Sequence, residues 1–367
     1  MAKTSRSRFS LLIFFVLTVL VVLPLVSVGE VFASEAHVFV YHRFNDSRYP
    51  STNIATENFK VHLQVLQDEQ FTVLTLGEVV ARMRAGESLP QRCAVISVDD
   101  GYLSFLTDGW PLLKQYGYPA TLFVSTDTVG GEDYMTWQDL RLLQQEGVEI
   151  GNHSASHAYL LDRLPAETES AWRSRVADDL ERSQAMFKKA LGSSPRLFAY
   201  PYGEFSTELS RLVRGAGFVA AFGQQSGVIT DGQDLYTLPR FPVGGPYSTL
   251  SEFRSRVFMK HLPVQLSGRQ DTVIMGENPP ELKFYLNRNL VDERTLQCYV
   301  PGQAECLLQG GGEDGGVYSV RALQPLAGRR SKYTVTASDA QGKVWYWYSH
   351  LWVKPSGLGV TDQPVAR

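Results

Sequence analysis

Between Ala36 and about Leu262, short apolar runs alternate with stretches whose apolar positions recur three and four residues apart. The runs are Val38–Tyr41, Phe71–Leu74, Ala94–Val98, Ala120–Val124, Val148–Ile150, Leu197–Tyr200 and Phe218–Phe222. Each is short and bounded by turn residues, which predicts strands. Thr56 heads a helical segment with Phe59, Leu63 and Leu66 on one side. Thr75-Leu76-Gly77-Glu78 and Thr136-Trp137-Gln138-Asp139 read as capping boxes, the second with Asp in place of the usual Glu or Gln. A longer, charged helix is expected from Ala166 to Ala190. Strand–helix alternation of this kind predicts an α/β fold with a parallel sheet, open or closed into a barrel. A barrel places its functional side chains at the C-terminal ends of the strands.

The pattern changes after Leu262. Residues 263–280 are rich in polar and turn residues and read as a linker. Period-two alternation then appears in Leu282–Leu286, Leu296–Val300, Gly316–Arg321, Lys332–Ser338 and Val344–Trp352, with no helical periodicity. A small all-β sandwich over 281–355 is expected, followed by a loose tail, 356–367. Trp345, Tyr346, Trp347, Tyr348 and Trp352 alternate faces on one strand, either filling its core or stacking on sugars.

The first 33 residues stand apart. Lys3, Arg6 and Arg8 precede an almost wholly apolar run, Phe9 to Val28, and Val31-Phe32-Ala33 has the small-residue pattern of a cleavage site. This reads as a signal peptide that sends the body, 35–262 and beyond, to the periplasm, the cell envelope or the medium. Uncut, the same run is long enough to anchor the protein in the inner membrane. Export suits Cys298 and Cys306, which lie in a turn-rich segment and can close a small disulfide loop, while Cys93 opens a strand as a buried hydrophobe. The formal charge of -3 and the pI near 6.2 argue against a nucleic-acid partner. Composition says nothing of oligomeric state.

Several strand ends carry candidate chemistry. Asp99-Asp100-Gly101 follows Ala94–Val98, so two adjacent acids are aimed differently by a tight turn. One can ligate a metal while the other remains a free base. His153 and His157 follow Val148–Ile150; two histidines and a carboxylate with open positions form a hydrolytic zinc arrangement. Tyr200-Pro201-Tyr202-Gly203 ends another strand in an irregular turn that can aim a backbone N–H at a developing oxyanion. Arg240, in an apolar run, needs an acidic partner, and Asp99 is the candidate. His42 ends the first strand and can serve as a general acid.

In this order the motifs resemble the polysaccharide deacetylases of carbohydrate esterase family 4, over about Ala36 to Arg256. Ser97-Val98-Asp99-Asp100-Gly101-Tyr102 matches that family's first motif and His153-Ser154-Ala155-Ser156-His157 its second. The resemblance implies a distorted (β/α) barrel, with Asp99 as general base and Asp100, His153 and His157 as ligands of a divalent metal, most simply zinc. It places Tyr202 at the oxyanion N–H, Arg240 beside the base, and Pro201 and Tyr102 along the substrate. Two departures stand out: Ala199 occupies the place of the third motif's arginine, and no Leu-x-x-His motif closes the domain. With the early Tyr41-His42, both resemble the permuted branch that includes poly-β-1,6-N-acetylglucosamine deacetylases of biofilm systems, where the acid histidine comes from the first strand. The implied activity is metal-dependent removal of N-acetyl groups from an exported N-acetylglucosamine polymer. A catalytically weak carbohydrate-binding protein and a structural envelope protein are the alternatives on the same fold.

Overall fold

A computed structural model describes Met1, residues 34–311 and residues 316–357. Apart from Met1, the expected signal segment lies outside the described residues, as does the tail beyond 357. No helix among the described residues is long and apolar enough to cross a membrane.

The alternating half folds as strands β1 (Glu35–Tyr41), β2 (Thr72–Leu74), β3 (Cys93–Val98), β4 (Thr121–Val124), β5 (Glu149–Asn152), β6 (Leu197–Ala199), β7 (Ala220–Phe222), β8 (Ile229–Thr230) and β9 (Phe241–Pro242). Between them lie helices α1 (Thr56–Asp68), α2 (Leu76–Ala85), α3 (Trp110–Tyr116), α4 (Trp137–Gln145), α5 (Glu169–Leu191), α6 (Thr207–Gly215) and α7 (Leu250–Val257). Both expected capping boxes are present: Thr75 and Glu78 start α2, and Thr136 and Asp139 start α4. The sheet runs β8-β1-β3-β4-β5-β6-β7, parallel except for β8, with β2 beside the first half of β3. It curls until Leu238 bridges to Phe222 and β9 pairs with β1, so Leu238–Pro242 spans the gap between the first and last strands. The expected distorted barrel is therefore a curled parallel sheet with one narrow closing segment. Its strands are buried on both faces, as a helix-wrapped parallel sheet requires.

The C-terminal half adds β10 (Lys260–His261), β11 (Val264–Leu266), β12 (Glu281–Leu286), β13 (Asp292–Tyr299), β14 (Cys306–Gly310), β15 (Tyr318–Ala322), β16 (Arg330–Ser338) and β17 (Trp345–Val353). They form two four-stranded sheets, β10-β17-β16-β13 and β11-β12-β15-β14, around one shared core. This second module starts earlier than 281. The segment 263–280 is no free linker, because β11 pairs with β12 and Val273 bridges to Val353. Ser356, expected in a loose tail, exchanges hydrogen bonds with Asp162 and the Arg163 N–H. Cys298 and Cys306 are joined in a disulfide and Cys93 is buried and free.

Strand β17 explains its own composition. Tyr346, Tyr348 and Trp352 face the sandwich core, whereas Leu351 and Val353 pack into the barrel's outer core and Trp347 meets Phe241 edge-on. A strand covered on both faces has no polar face to keep. Only Trp345 of these aromatics is exposed.

Two buried histidines make stability pH-dependent. His62 lies against Phe253 and His350 against Trp352, and burial lowers each imidazole from 6.5 to about 4. Between those values the unfolded chain binds more protons than the folded one, so stability falls as pH drops through this window. Thermal melts should show a progressive loss of Tm from pH 7 to 4.5, with His350→Gln flattening part of that slope. An unchanged slope in that variant would remove His350 from the account.

Candidate active site

The candidate residues converge on the C-terminal rim of the barrel. Asp99 and Asp100 follow β3, His153 and His157 follow β5, Tyr202 follows β6, His42 follows β1, and Arg240 sits in the closing segment. Parallel strands bring these ends to one side although up to 141 residues separate the partners.

Arg240 is the largest fully buried side chain among the described residues. It grips Asp99 in a two-pronged pair, Nη1 to Oδ1 at 2.7 Å and Nη2 to Oδ2 at 2.8 Å, with both residues 0% exposed. Its Nε donates to the Gly223 carbonyl at 2.9 Å, so the fork is held from behind. Burial opposes the Asp99 charge, but Arg240 and then His153 outweigh it, and the carboxyl is held below the usual aspartate range. Oδ1 keeps a further lone pair for a water proton, whereas Oδ2 also accepts from Gln224.

Asp100, His153 and His157 each offer a ligand atom, and these atoms lie within 4.8 Å of one another. Asp100 Oδ1 is 3.3 Å from His153 Nε2 and 3.0 Å from His157 Nε2, yet it is buried without a hydrogen bond. His153 spends Nδ1 on the Ala199 carbonyl at 2.7 Å, which turns Nε2 towards Asp100. An orphaned oxygen facing two imidazole nitrogens, one of them already oriented from behind, fits a divalent cation. Burial opposes charge on Asp100, and His153 and His157 outweigh it, so the carboxyl lies well below its usual range. The Asp99 and Asp100 charges, working against burial, raise the His153 imidazole.

The turns that aim these groups are strained. Asp100 (φ 75°), Ser154 (φ 69°), His157 (φ 52°) and Tyr202 (φ 59°) all adopt the left-handed region that non-glycine residues avoid. Buried polar groups hold them there. Asp179 on α5 accepts the Ala155 and Ser156 N–H groups at 2.8 and 3.1 Å, and Ser154 Oγ accepts the His157 N–H at 2.9 Å. Asn152 Oδ1 accepts the Ser154 N–H at 2.8 Å. After Tyr202, Gly203 (φ 70°) runs so close to Gln224 that a Cβ would stand 2.5 Å from its backbone nitrogen.

His42 is half-buried and its Nδ1 lacks a hydrogen bond. Burial lowers its imidazole, while the Asp100 and Asp99 charges pull it partly back. Tyr102 stands beside Tyr134 with the Arg43 guanidinium 3.5 Å over its ring. Pro201 is buried at the head of the Tyr202 turn, where its ring fixes the backbone. Ala199 takes part through its carbonyl, so its missing side chain leaves that role untouched.

Sequence reasoning missed three contributors. Gln224, just past β7, donates to Asp99 Oδ2 at 3.3 Å, and its place after a strand was the available signal. Asp179 sits inside a charged helix, where nothing local separates it from its solvated neighbours. Arg330, on the sandwich strand β16, donates to the Tyr202 carbonyl.

Residues 86–221 match the family model described as polysaccharide deacetylase. The poly-beta-1,6-N-acetyl-D-glucosamine N-deacetylase of Staphylococcus aureus is 24% identical over 208 residues, covering 55% of this chain and 71% of that protein. Among solved structures, IcaB from Ammonifex degensii aligns with a TM-score of 0.54 at 24% identity, over 61% of this chain and 97% of that one. The Streptococcus pyogenes deacetylase PplD, solved with acetate, aligns with a TM-score of 0.55 at 17% identity, over 62% and 99%. These structural likenesses carry the fold, and the family match falls on the segment that contributes Asp99, Asp100, His153, His157 and Tyr202. Residues 86–221, in the middle of the barrel half, thus match the polysaccharide deacetylase domain, and the surrounding fold is the one these deacetylases share.

Proposed function

We propose that the protein is a metal-dependent hydrolase that removes N-acetyl groups from an N-acetylglucosamine polymer outside the cytoplasm. The observation that carries this reading is the pairing of an Arg-clamped, buried carboxylate with an adjacent Asp–His–His cluster. The first supplies a base and the second a cation site, the two parts that metal-assisted amide hydrolysis uses. The Staphylococcus aureus relative's name supports the polymer. The apolar N-terminal run supports export.

Asp100, His153 and His157 would hold the cation, and two nitrogens with one oxygen suit zinc. The cation supplies polarisation of the acetamide carbonyl and a more acidic water. Asp99, kept ionised by Arg240, accepts the proton of the attacking water. The Tyr202 N–H faces the carbonyl oxygen as negative charge builds on it. His42 delivers a proton to the leaving amine, and Gln224 holds the outer oxygen of Asp99. Water adds to the carbonyl carbon, the C–N bond breaks, and acetate and the free amine leave.

Full-length protein should release acetate from N-acetylglucosamine oligomers, lose that activity to a chelator and recover it with zinc. Asp99→Asn should retain zinc while losing about 100- to 10,000-fold in rate, the usual span for a general base. Acetate release that survives Asp99→Asn would remove Asp99 as the base, and absence of release by the wild-type protein across β-1,4- and β-1,6-linked oligomers would sink the reading in favour of a binding protein.

A further inference from the structure

The site continues into a cavity of about 450 Å³ where barrel meets sandwich, within the roughly 300–1,000 Å³ range of small-molecule clefts. Tyr159, Tyr202 and Gln224 line its barrel side, and Arg329, Arg330 and Lys332 of the sandwich line the other. Two of these residues also belong to the reacting centre. The Tyr202 ring meets His157 edge-on at 4.7 Å, and Gln224 donates to Asp99. The cleft is therefore a neighbouring compartment of the same groove.

Its polar character is one-sided. Three cationic side chains line it and, among the described residues, no carboxylate does. The nearest acids stand behind Arg329, which binds Glu204 through Nε and Nη2 at 2.7 Å each and Asp162 through Nη1 at 2.6 Å. Arg330 is 41% exposed, spends one N–H on the Tyr202 carbonyl and has its Nε 3.5 Å from Glu204, the buried acid it shares with Arg329. Lys332 Nζ donates to the neutral Ser226 hydroxyl at 3.0 Å. The tyrosine faces are largely taken, because Tyr159 and Tyr202 stack at 3.9 Å and Arg329 lies 4.0 Å over the Tyr159 ring. What remains for a ligand is a set of donors and positive charge.

We propose that this cleft, completed by β16 of the sandwich, holds the sugar next to the one being deacetylated and accepts an acetylated or anionic neighbour over one bearing a free ammonium. The inference rests on the deacetylase reading. Each turnover replaces a neutral acetamide by an amine that is protonated below its pKa. If the polymer then moves by one unit, that ammonium enters a cleft already lined by cations. Like charges in a partly desolvated cleft disfavour the complex by about tenfold. The enzyme therefore spaces its deacetylations along the polymer.

Calorimetric titration at pH 6 of full-length, zinc-loaded Asp99→Asn protein tests this with two N-acetylglucosamine tetramers, one fully acetylated and one keeping a single acetyl group. With its one acetyl group on an internal sugar, the single-acetyl tetramer puts an ammonium in the cleft in every productive register. It should bind about tenfold more weakly, and adding Lys332→Gln or Arg330→Gln should each reduce that gap about threefold. High salt should narrow the gap without any further variant. Equal affinities, a gap untouched by both substitutions and by salt, or no binding of either tetramer would overturn the subsite. Acetate release by the wild-type protein from the fully acetylated tetramer is measured in parallel. Release alongside equal affinities sinks the subsite alone, whereas no release sinks the deacetylase reading.

Discussion

Replacing Asp100 with alanine should leave a folded protein that no longer retains its cation and no longer releases acetate. The three ligand atoms lie within 4.8 Å of one another, and Asp100 supplies the only carboxylate oxygen among them. Two imidazoles alone make a weak site, because the compensating negative charge is gone. Loss of the cation's polarising effect, several kcal/mol, corresponds to a rate loss of about 1000-fold or more. Metal analysis after dialysis should fall from near one equivalent per chain to a small fraction, and His153→Ala should match it. The fold should survive, since removing Asp100 also relieves a carboxylate whose buried oxygen has no hydrogen bond. Full zinc occupancy in purified Asp100→Ala would refute the assignment of the three ligands.

Arg240→Met is expected to damage stability and chemistry together. Arg240 and Asp99 are both 0% exposed and bonded at 2.7 and 2.8 Å, so removing the guanidinium strands a buried carboxylate. Breaking a buried pair from one side costs about 3–5 kcal/mol, which corresponds to a fall in Tm of roughly 10 °C for a chain of this size. The effect on chemistry has a definite sign. With Arg240 gone, burial of Asp99 is no longer outweighed, and its carboxyl rises towards neutrality. The base must be ionised, so the acid limb of the pH–rate profile should move to higher pH, with more activity lost at pH 6 than at pH 8. The double variant Asp99→Asn, Arg240→Met should recover much of the stability without activity, because a neutral pair carries no uncompensated charge. Unfolding curves and acetate release against pH check both halves. A single variant as stable as wild type, with an unmoved acid limb, would show that the pair does not govern the base.

The candidate site residues were legible because their signals are local. A carboxylate pair before Gly101 and two histidines four apart each sit immediately past an apolar run, and the run itself announces a strand end. Arg240 could be paired with Asp99 in advance because an arginine in apolar surroundings must find an acid, and the partner was bonded as expected. The role of Ala199 was not legible. It works through its carbonyl, which every residue carries, and no side-chain pattern marks it.

The domain edge shows the opposite case. Residues 263–280 read as a linker because their polar and turn residues outnumber a three-residue strand, yet β11 and Val273 join the sandwich. Short strands depend on partners that pattern does not reveal.

What the sequence determined by itself is the main elements of the barrel and the candidate residues at their ends, because burial periodicity and turn preferences act over a few residues. Only the tertiary structure decided which sandwich residues reach the groove. Arg329 meets Glu204 across 125 positions and Arg330 meets Tyr202 across 128. Asp179 grips the histidine loop from a helix whose polar face otherwise points to water. Charged side chains look alike along a chain whether they end in solvent or in a site. The packing of one module on another makes that choice, and it is a long-range event with no local trace.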